Sequence, residues 1–484
     1  MRKYNGQTLN LDMVDGNTFG RYPYCSSAET YNMIISEGCL VPFAGYRRIA
    51  EINNTGQGRA IYSSSKQNKM YCVIDNDVFS FDVSLSRKFI GRLETFTGDV
   101  FISENNANQI ALCDKQNIYI IDAETDGFET YTEDDLGFKP GYIDFQDSYF
   151  ISTNLNNNQW RISDSNNGRV WPFDEQHVGE VSTKPGNAVA ALRIPGKGNN
   201  LLVFGQNVAE IWTDVGSKLF PYQRNQSRNI DYGCINPASI ARLEDKICWV
   251  AKNEDSGIAI FTYGAEGATR ISNDGIDFKL ARFKEPQNCY GYMVRLDGHL
   301  CYIATWPEDR TSYLYDFNSN KFSTLCDENM NAYIAKNVVF FNNKYYFVSI
   351  IDGNLYEISS SNPVYDYGNG DINQVQMIRV CDNIKLPNNN QFICDWLTIF
   401  VQQGTFDFNQ GDIDNVARID VSISQDGGQT FGNYVGIPLN AIALRKGMVK
   451  INNIGIANDL TFQFRFQGYG AYVVSGASIG VRTW

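Results

Sequence analysis

The chain has 484 residues, 43% hydrophobic and 20% charged, which is the make-up of a globular protein large enough for more than one core. Its formal net charge of −13 argues against a face built to grip nucleic-acid phosphates, although it allows a wall past which a polyanion slides without sticking. No apolar segment approaches the ~20 residues that cross a bilayer as a helix.

Basic residues at Arg2 and Lys3 are followed by no apolar stretch, so a secretory signal is not expected and a cytosolic setting is. The eleven cysteines are odd in number and include no CxxC pair, which predicts reduced thiols buried in strands, as at Cys113 and Cys248. Residues 1–55 are polar, rich in glycine and weakly periodic. They predict an extended N-terminal arm and entry strand, with 36–45 (SEGCLVPFAG) ending in a turn.

From residue 56 a four-strand rhythm sets in. The first copy has runs at 59–63, 70–74, 78–83 and 88–93. The second has runs at 100–103, 110–113, 118–122 and 128–131. The third begins near Tyr142 and continues through 149–152, 160–163 and 169–173. Further copies begin near Val189, Ser239, Tyr290 and Ala332. A period of roughly 40–50 residues is that of propeller blades, and the count is seven or six. A lone four-stranded meander exposes both faces; packing blades around an axis covers them. The β-propeller is therefore expected over 56–365. A breaker-rich junction at 359–370 follows, and longer alternating runs at 376–381, 396–401, 417–423, 460–466 and 472–481 predict a separate C-terminal β-sandwich over 366–484. The fold class is all-β.

The stretch 201–235 combines an apolar run into Phe204-Gly205, then Glu210 and Trp212, Gly216, Pro221 to Arg224, and Gly233-Cys234. This order of residue types resembles the packaged-DNA stabilization proteins of short-tailed bacteriophages, the tail hub or nozzle subunits below the portal. The resemblance extends to about Phe278, with looser matches at 38–45 and at the hairpin 424–431. It implies a structural virion protein that assembles in the host cytoplasm into a ring in the tail, with six subunits. It also implies portal or adaptor proteins above the ring, tail fibres, spikes or a needle below or outside it, and double-stranded DNA passing through the lumen without sequence-specific contacts. No catalytic residue, cofactor, metal or small-molecule substrate comes with it.

Ser424, Asp426, Gly428, Thr430 and Phe431 fit the Asp-box pattern S-x-D-x-G-x-T-[FW] of sialidases and related propellers. The pattern is structural: Asp426 bonds the turn backbone, the glycines accept positive φ, and Phe431 is expected to plug a core. A carbohydrate-binding or sialidase-like propeller is the alternative reading, weakened because one copy occurs, outside the repeat array. Trp212, like Phe431, is expected to be a core anchor. His177 and His299 are the two histidines, too few for a histidine-rich metal site, and His299 after Asp297-Gly298 reads as an exposed turn. The turn 195–198 lacks phosphate-loop spacing, and 407–414 imitates a calcium loop only in part, with its glycine one place early. The acidic run 133–135 is a solvated turn or a lumen-facing patch.

Overall fold

Seven four-strand units of the repeat are antiparallel sheets in the computed structural model, and the propeller has seven blades. The structure describes all residues except 1–5, 21–27, 197, 219, 362, 404–417, 440–446, 469–471 and 484. Cys25, Lys197 and the 407–414 pattern thus lie outside the described residues. Blade 1 comprises Gly58–Ser64, Lys69–Ile74, Asp77–Phe81 and Arg87–Arg92. Blades 2, 3, 4, 6 and 7 start at Phe101, Pro140, Ala188, Tyr290 and Ala335, and blade 5 spans Gly233–Arg270, with Gly233–Cys234 and Ala241–Leu243 both paired to Lys246–Asn253. The first strands lie innermost, and those of blades 1 to 4 touch in succession, as do Ala241–Leu243 of blade 5 and the first strands of blades 6, 7 and 1. The central two strands of a blade are apolar on both faces, as Ile110, Ala111, Leu112 and Cys113 show, because each sheet is packed on both sides by another. Four innermost strands carry a bulge near the start, at Gly58/Ala60, Pro140/Tyr142, Ala188/Ala190 and Lys336/Val338.

One expectation about the blades is corrected, and the exposed acidic run 133–135, expected as a solvated turn, is helical. The outer strand of blade 3 is Val178–Glu180, not 169–173. Pro172 cannot donate to a ladder, and Trp171 turns inward instead, its indole N–H donating to the Gly168 carbonyl at 3.0 Å and its ring 5.6 Å from Phe138. The acidic run 133–135 is the first turn of a short helix, Glu133–Leu136, capped by Thr132, where negative charge meets the positive end of the peptide dipoles.

Blade 7 is closed by the N-terminal strand Gly45–Ala50, which pairs antiparallel with Leu355–Ser359. Its Tyr46 is buried among Tyr333, Phe347, Tyr356, Tyr365 and Tyr367, with ring centroids 4.4–5.7 Å away. The boundaries expected at 55 and 365 therefore do not follow the pairing. Val364–Asp366, expected in a linker, runs parallel to Gly45–Ala50.

The described strands of the arm are likewise extended, and each is paired. Gln7–Leu11 pairs with Tyr472–Arg482, in a sheet that also holds Met33–Ser36, Cys39–Pro42, Phe392–Gln403 and Gly447–Ala457. Glu29–Tyr31 inserts between Lys321–Leu325 of blade 6 and Met377–Val380, so blade 6 continues through Thr461–Gln467, Arg418–Ser424 and Val435–Pro438 as one nine-stranded sheet. The C-terminal β-sandwich is these two sheets face to face, with Leu397, Ile399 and Ile479 in the same core as Ile419, Val421, Phe462 and Phe464. That core runs on into Val294 and Tyr356 of blades 6 and 7, so sandwich and propeller share one apolar interior.

Candidate functional site

Of the 201–235 pattern, Glu210, Trp212, Pro221 and Arg224 come together between blades 3 and 4. Ala209–Asp214 is the third strand of blade 4, and alternation turns Glu210 inward, where it is fully buried. A buried carboxylate needs partners, and Glu210 has five. It accepts from the backbone N–H groups of Ser182 (3.0 Å) and Thr183 (2.8 Å), the Thr183 hydroxyl (2.6 Å), Arg224 Nη1 (3.2 Å) and the Trp212 indole N–H (3.0 Å). Trp212 is half-buried rather than a core anchor: its indole N–H must reach Glu210 at the blade edge, and its ring packs edge-on to Trp160 at 5.3 Å. Phe220 and Tyr222 complete that aromatic group, so Pro221 fixes a connection wedged between two aromatic side chains.

The remaining pattern residues are also structural. Phe204 meets Trp249 of blade 5 at 5.1 Å. Gly205 and Gly233 lie back to back; a Cβ on Gly233 would come within 2.4 Å of the Gly205 carbonyl oxygen. Gly216 takes φ +63° in the turn after blade 4's third strand. Cys234 is buried, which pushes its thiol up to about 12 and leaves it unreactive.

The Asp-box hairpin forms as its pattern predicts, in the sandwich and not in a blade. Asp426 accepts from the Ser424 hydroxyl (2.6 Å), the Gln429 and Thr430 N–H groups (3.0 and 2.9 Å) and the Thr430 hydroxyl (2.6 Å). Those bonds, the Ser424 and Thr430 hydroxyls first, hold its carboxyl well below the usual range. Gly427 and Gly428 take φ of +74° and +86°. Phe431 departs from expectation. It is half-buried at the rim of an open groove with Ile423 and Ile454, because the Asp-box turn lies at the open end of the sandwich and not over a closed blade core.

The propeller axis holds only a small polar cavity. Bulged innermost strands aim charged side chains into a cavity of about 140 Å³ lined by Arg59, Asp99, Tyr142, Asp144, Arg242 and Lys336. Arg242 of blade 5 makes a forked pair with Asp144 of blade 3, with one contact at 2.6 Å. Asp99 accepts from Lys336 (2.8 Å) and Lys115 (3.0 Å). Burial alone would raise the Asp99 carboxyl, but the two ammonium groups outweigh it and hold it at about 2. Arg59 donates to the carbonyls of Asp75, Thr95, Thr97 and Gly98, which ties blade 1 to the blade 1–2 connection.

Sequence reasoning missed one constellation. His299 is buried, not an exposed turn, at 7% exposure. Its Nδ1 lies 3.1 Å from Asp316 Oδ2 and its Nε2 3.0 Å from Ser36 Oγ. Ser36 is remote in sequence and belongs to the sandwich, so no local signal links the three. His177 faces Asp174 at an exposed turn, 2.5 Å away. Among the described residues no group of three or more His, Cys, Asp or Glu side chains could hold a metal ion. The ten cysteines described are free thiols, nine of them buried.

A family model described as bacteriophage P22 Gp10, β-propeller, a phage stabilisation family, matches residues 14–362, well over half of the chain. A search of curated proteins finds no match. Among solved structures, virginiamycin B lyase from Staphylococcus aureus bound to quinupristin is similar at 12% identity and a TM-score of 0.46, covering 65% of this chain and 99% of the lyase. A chain of the mitotic checkpoint complex is similar at 10% identity and 0.41, covering 74% and 91%. The N-terminal domain of Nup159 is similar at 11% and 0.39, covering 65% and 94%. At these values the structural likenesses carry no functional argument.

Proposed function

Because the chain belongs to the phage stabilisation family of the bacteriophage P22 Gp10 β-propeller, and is thus a phage structural protein and virion component, we propose that it is a tail hub, or nozzle, subunit. The family match over residues 14–362 carries this reading. In it, six subunits form a ring below the portal or adaptor proteins, help retain packaged DNA, and give passage to it on infection. Tail fibres, spikes or a needle attach below or outside. A ring built from one chain needs only one pair of complementary faces repeated around a rotation axis.

Two observations support the arrangement. The axial cavity of each propeller, about 140 Å³ and crossed by the Arg242–Asp144 pair, is far too small for a duplex, so the passage runs between subunits and not through blades. The net charge of −13 suits a passage wall that does not hold phosphates, since each cationic contact would have to be broken as the DNA moves.

The test is electron microscopy of virions with and without the protein. A sixfold ring under the portal, lost together with genome retention when the protein is absent, is expected. Stable genome retention without it, or its presence only in the head shell, overturns the reading. Tight, salt-sensitive duplex binding by the isolated subunit also counts against it.

A further inference from the structure

Ser36, His299 and Asp316 meet where the sandwich rests on blade 6. Ser36 ends the strand Met33–Ser36, His299 opens the strand His299–Trp306, and Asp316 ends Thr311–Asp316. A serine hydroxyl is a weak nucleophile until a base lies within about 2.6–3.2 Å and a third group orients that base. Both distances fall in that range, 3.0 Å from Ser36 Oγ to Nε2 and 3.1 Å from Nδ1 to Asp316 Oδ2. Asp316 is itself fixed. Its Oδ1 accepts from the Asn318 N–H at 3.0 Å, and its Oδ2 accepts from the Ser319 N–H at 3.2 Å and the Ser319 hydroxyl at 2.7 Å. Held so, it accepts a hydrogen bond from the Nδ1–H of a neutral imidazole and turns the Nε2 lone pair toward Ser36.

The environment is graded from inside to outside. Asp316 is 1% exposed and His299 7%, whereas Ser36 is partly exposed at the start of a two-residue hairpin turn. Glu37 and Gly38 take φ of +50° and +74°, the geometry of a type I′ turn. The pairing of Ser36 with Cys39 uses the backbone of those two residues, so the amides of exposed Glu37 and Gly38 are the donors nearest in sequence for an oxyanion formed at Ser36.

We propose that Ser36, His299 and Asp316 form a nucleophilic acyl-transfer site, with Ser36 as nucleophile, His299 as general base and Asp316 as its positioning residue. The substrate class is a short, neutral carboxylic ester, since the hydroxyl sits on the shoulder of an exposed turn and the Glu37 carboxylate beside it disfavours anionic acyl groups. Ser36 Oγ bonds to the acyl carbon as its proton passes to Nε2. The acyl carbon–alcohol oxygen bond then breaks and the alcohol leaves with that proton. Water attacks the acyl-serine carbon, gives its proton to Nε2, and the acid departs as the proton returns to Ser36 Oγ.

The experiment uses the full chain, a fluorophosphonate probe and p-nitrophenyl acetate. In the first reaction an oxygen–phosphorus bond forms at serine and fluoride leaves, so the adduct is read by peptide mass. An adduct on Ser36 is expected, with ester turnover that falls at least about 100-fold in Ser36→Ala at an unchanged melting temperature. Asp316→Asn, which keeps the shape but reverses the imidazole's proton placement, is expected to fall by a similar factor. No adduct on Ser36, or equal turnover by Ser36→Ala, overturns the proposal. A Ser36→Ala variant that melts earlier, with wild type unlabelled, assigns the three groups to bracing alone. Neither outcome bears on the tail-hub reading, which does not use this site.

Discussion

Replacing Glu210 by alanine tests whether the 201–235 pattern is a brace between blades. Hydrogen bonds to a charged group contribute roughly 1.5–3 kcal/mol each when their partners cannot find water. Glu210 is fully buried, but its partners are not equal: Arg224 keeps 24% of its side chain exposed and can swing into solvent. Ser182 and Thr183 are also exposed residues, so water replaces part of what their amides lose. The Trp212 indole keeps only its packing on Trp160 and Phe220. Discounted in this way, Glu210→Ala should cost about 2–4 kcal/mol, and Arg224→Ala less than about 1 kcal/mol, as for half-solvated ion pairs. Guanidinium unfolding followed by tryptophan fluorescence reads both, since Trp212 reports on the site directly. The double variant should cost little more than Glu210→Ala alone. If Arg224→Ala costs as much as Glu210→Ala, the energy lies in the ion pair and the account of a carboxylate tethering the 182–183 connection is refuted.

Tyr46→Ala should destabilise by roughly 3–5 kcal/mol, because it empties the centre of the aromatic group that closes blade 7; denaturant unfolding showing under about 1 kcal/mol would contradict the closure. Chymotrypsin should not cut the folded chain after Tyr365 or Tyr367, whose hydroxyls donate to the Cys326 carbonyl at 2.6 Å and Glu328 at 2.8 Å; early cleavage there, read by mass, would restore the picture of a free linker. Asp99, held at about 2 against about 3.9 in an unfolded chain, adds stability that is complete above the unfolded value and lost as pH falls from about 4 to about 2. Asp99→Asn should therefore be less stable at pH 7 and lose less between pH 4 and pH 2; parallel acid-unfolding curves for the two proteins would show that Lys115 and Lys336 do not act on that carboxyl.

Most blade strands were legible because alternation and short polar turns are local signals. Where they failed, the outcome depended on something non-local. The run 169–173 has the apolar content of a strand, yet Trp171 fills the space beside Phe138, and the true outer strand Val178–Glu180 is too short and polar to stand out. Gly447–Ala457 escaped notice because it is a sheet-end strand whose lysine and asparagines face outward. The opening residues looked like an arm because their partners lie at the far end of the chain. Asp-Gly before His299 signals a turn correctly, but nothing nearby announces Ser36. Of the site residues, Glu210, Trp212 and Arg224 were visible as a pattern, while their convergence on residues 182–183 was not.

The clasp at the propeller seam also sets when the protein can become itself. Synthesis delivers the N-terminus first, yet Gln7 has no strand to pair with until Val481 has been made, and Tyr46 must wait for Ile358 and Tyr365. Blades 1 to 6 can form in order behind the ribosome, while Gln7–Leu11 stays unpartnered through nearly the whole of translation. Such distant pairings are the slow step of folding. The last residues to emerge therefore act as the latch of the sandwich: a chain cut short before Tyr472 would carry finished blades and a closed seam, while Gln7–Leu11, Cys39–Pro42 and Phe392–Gln403 would each lose a partner strand and stand ready to join another chain.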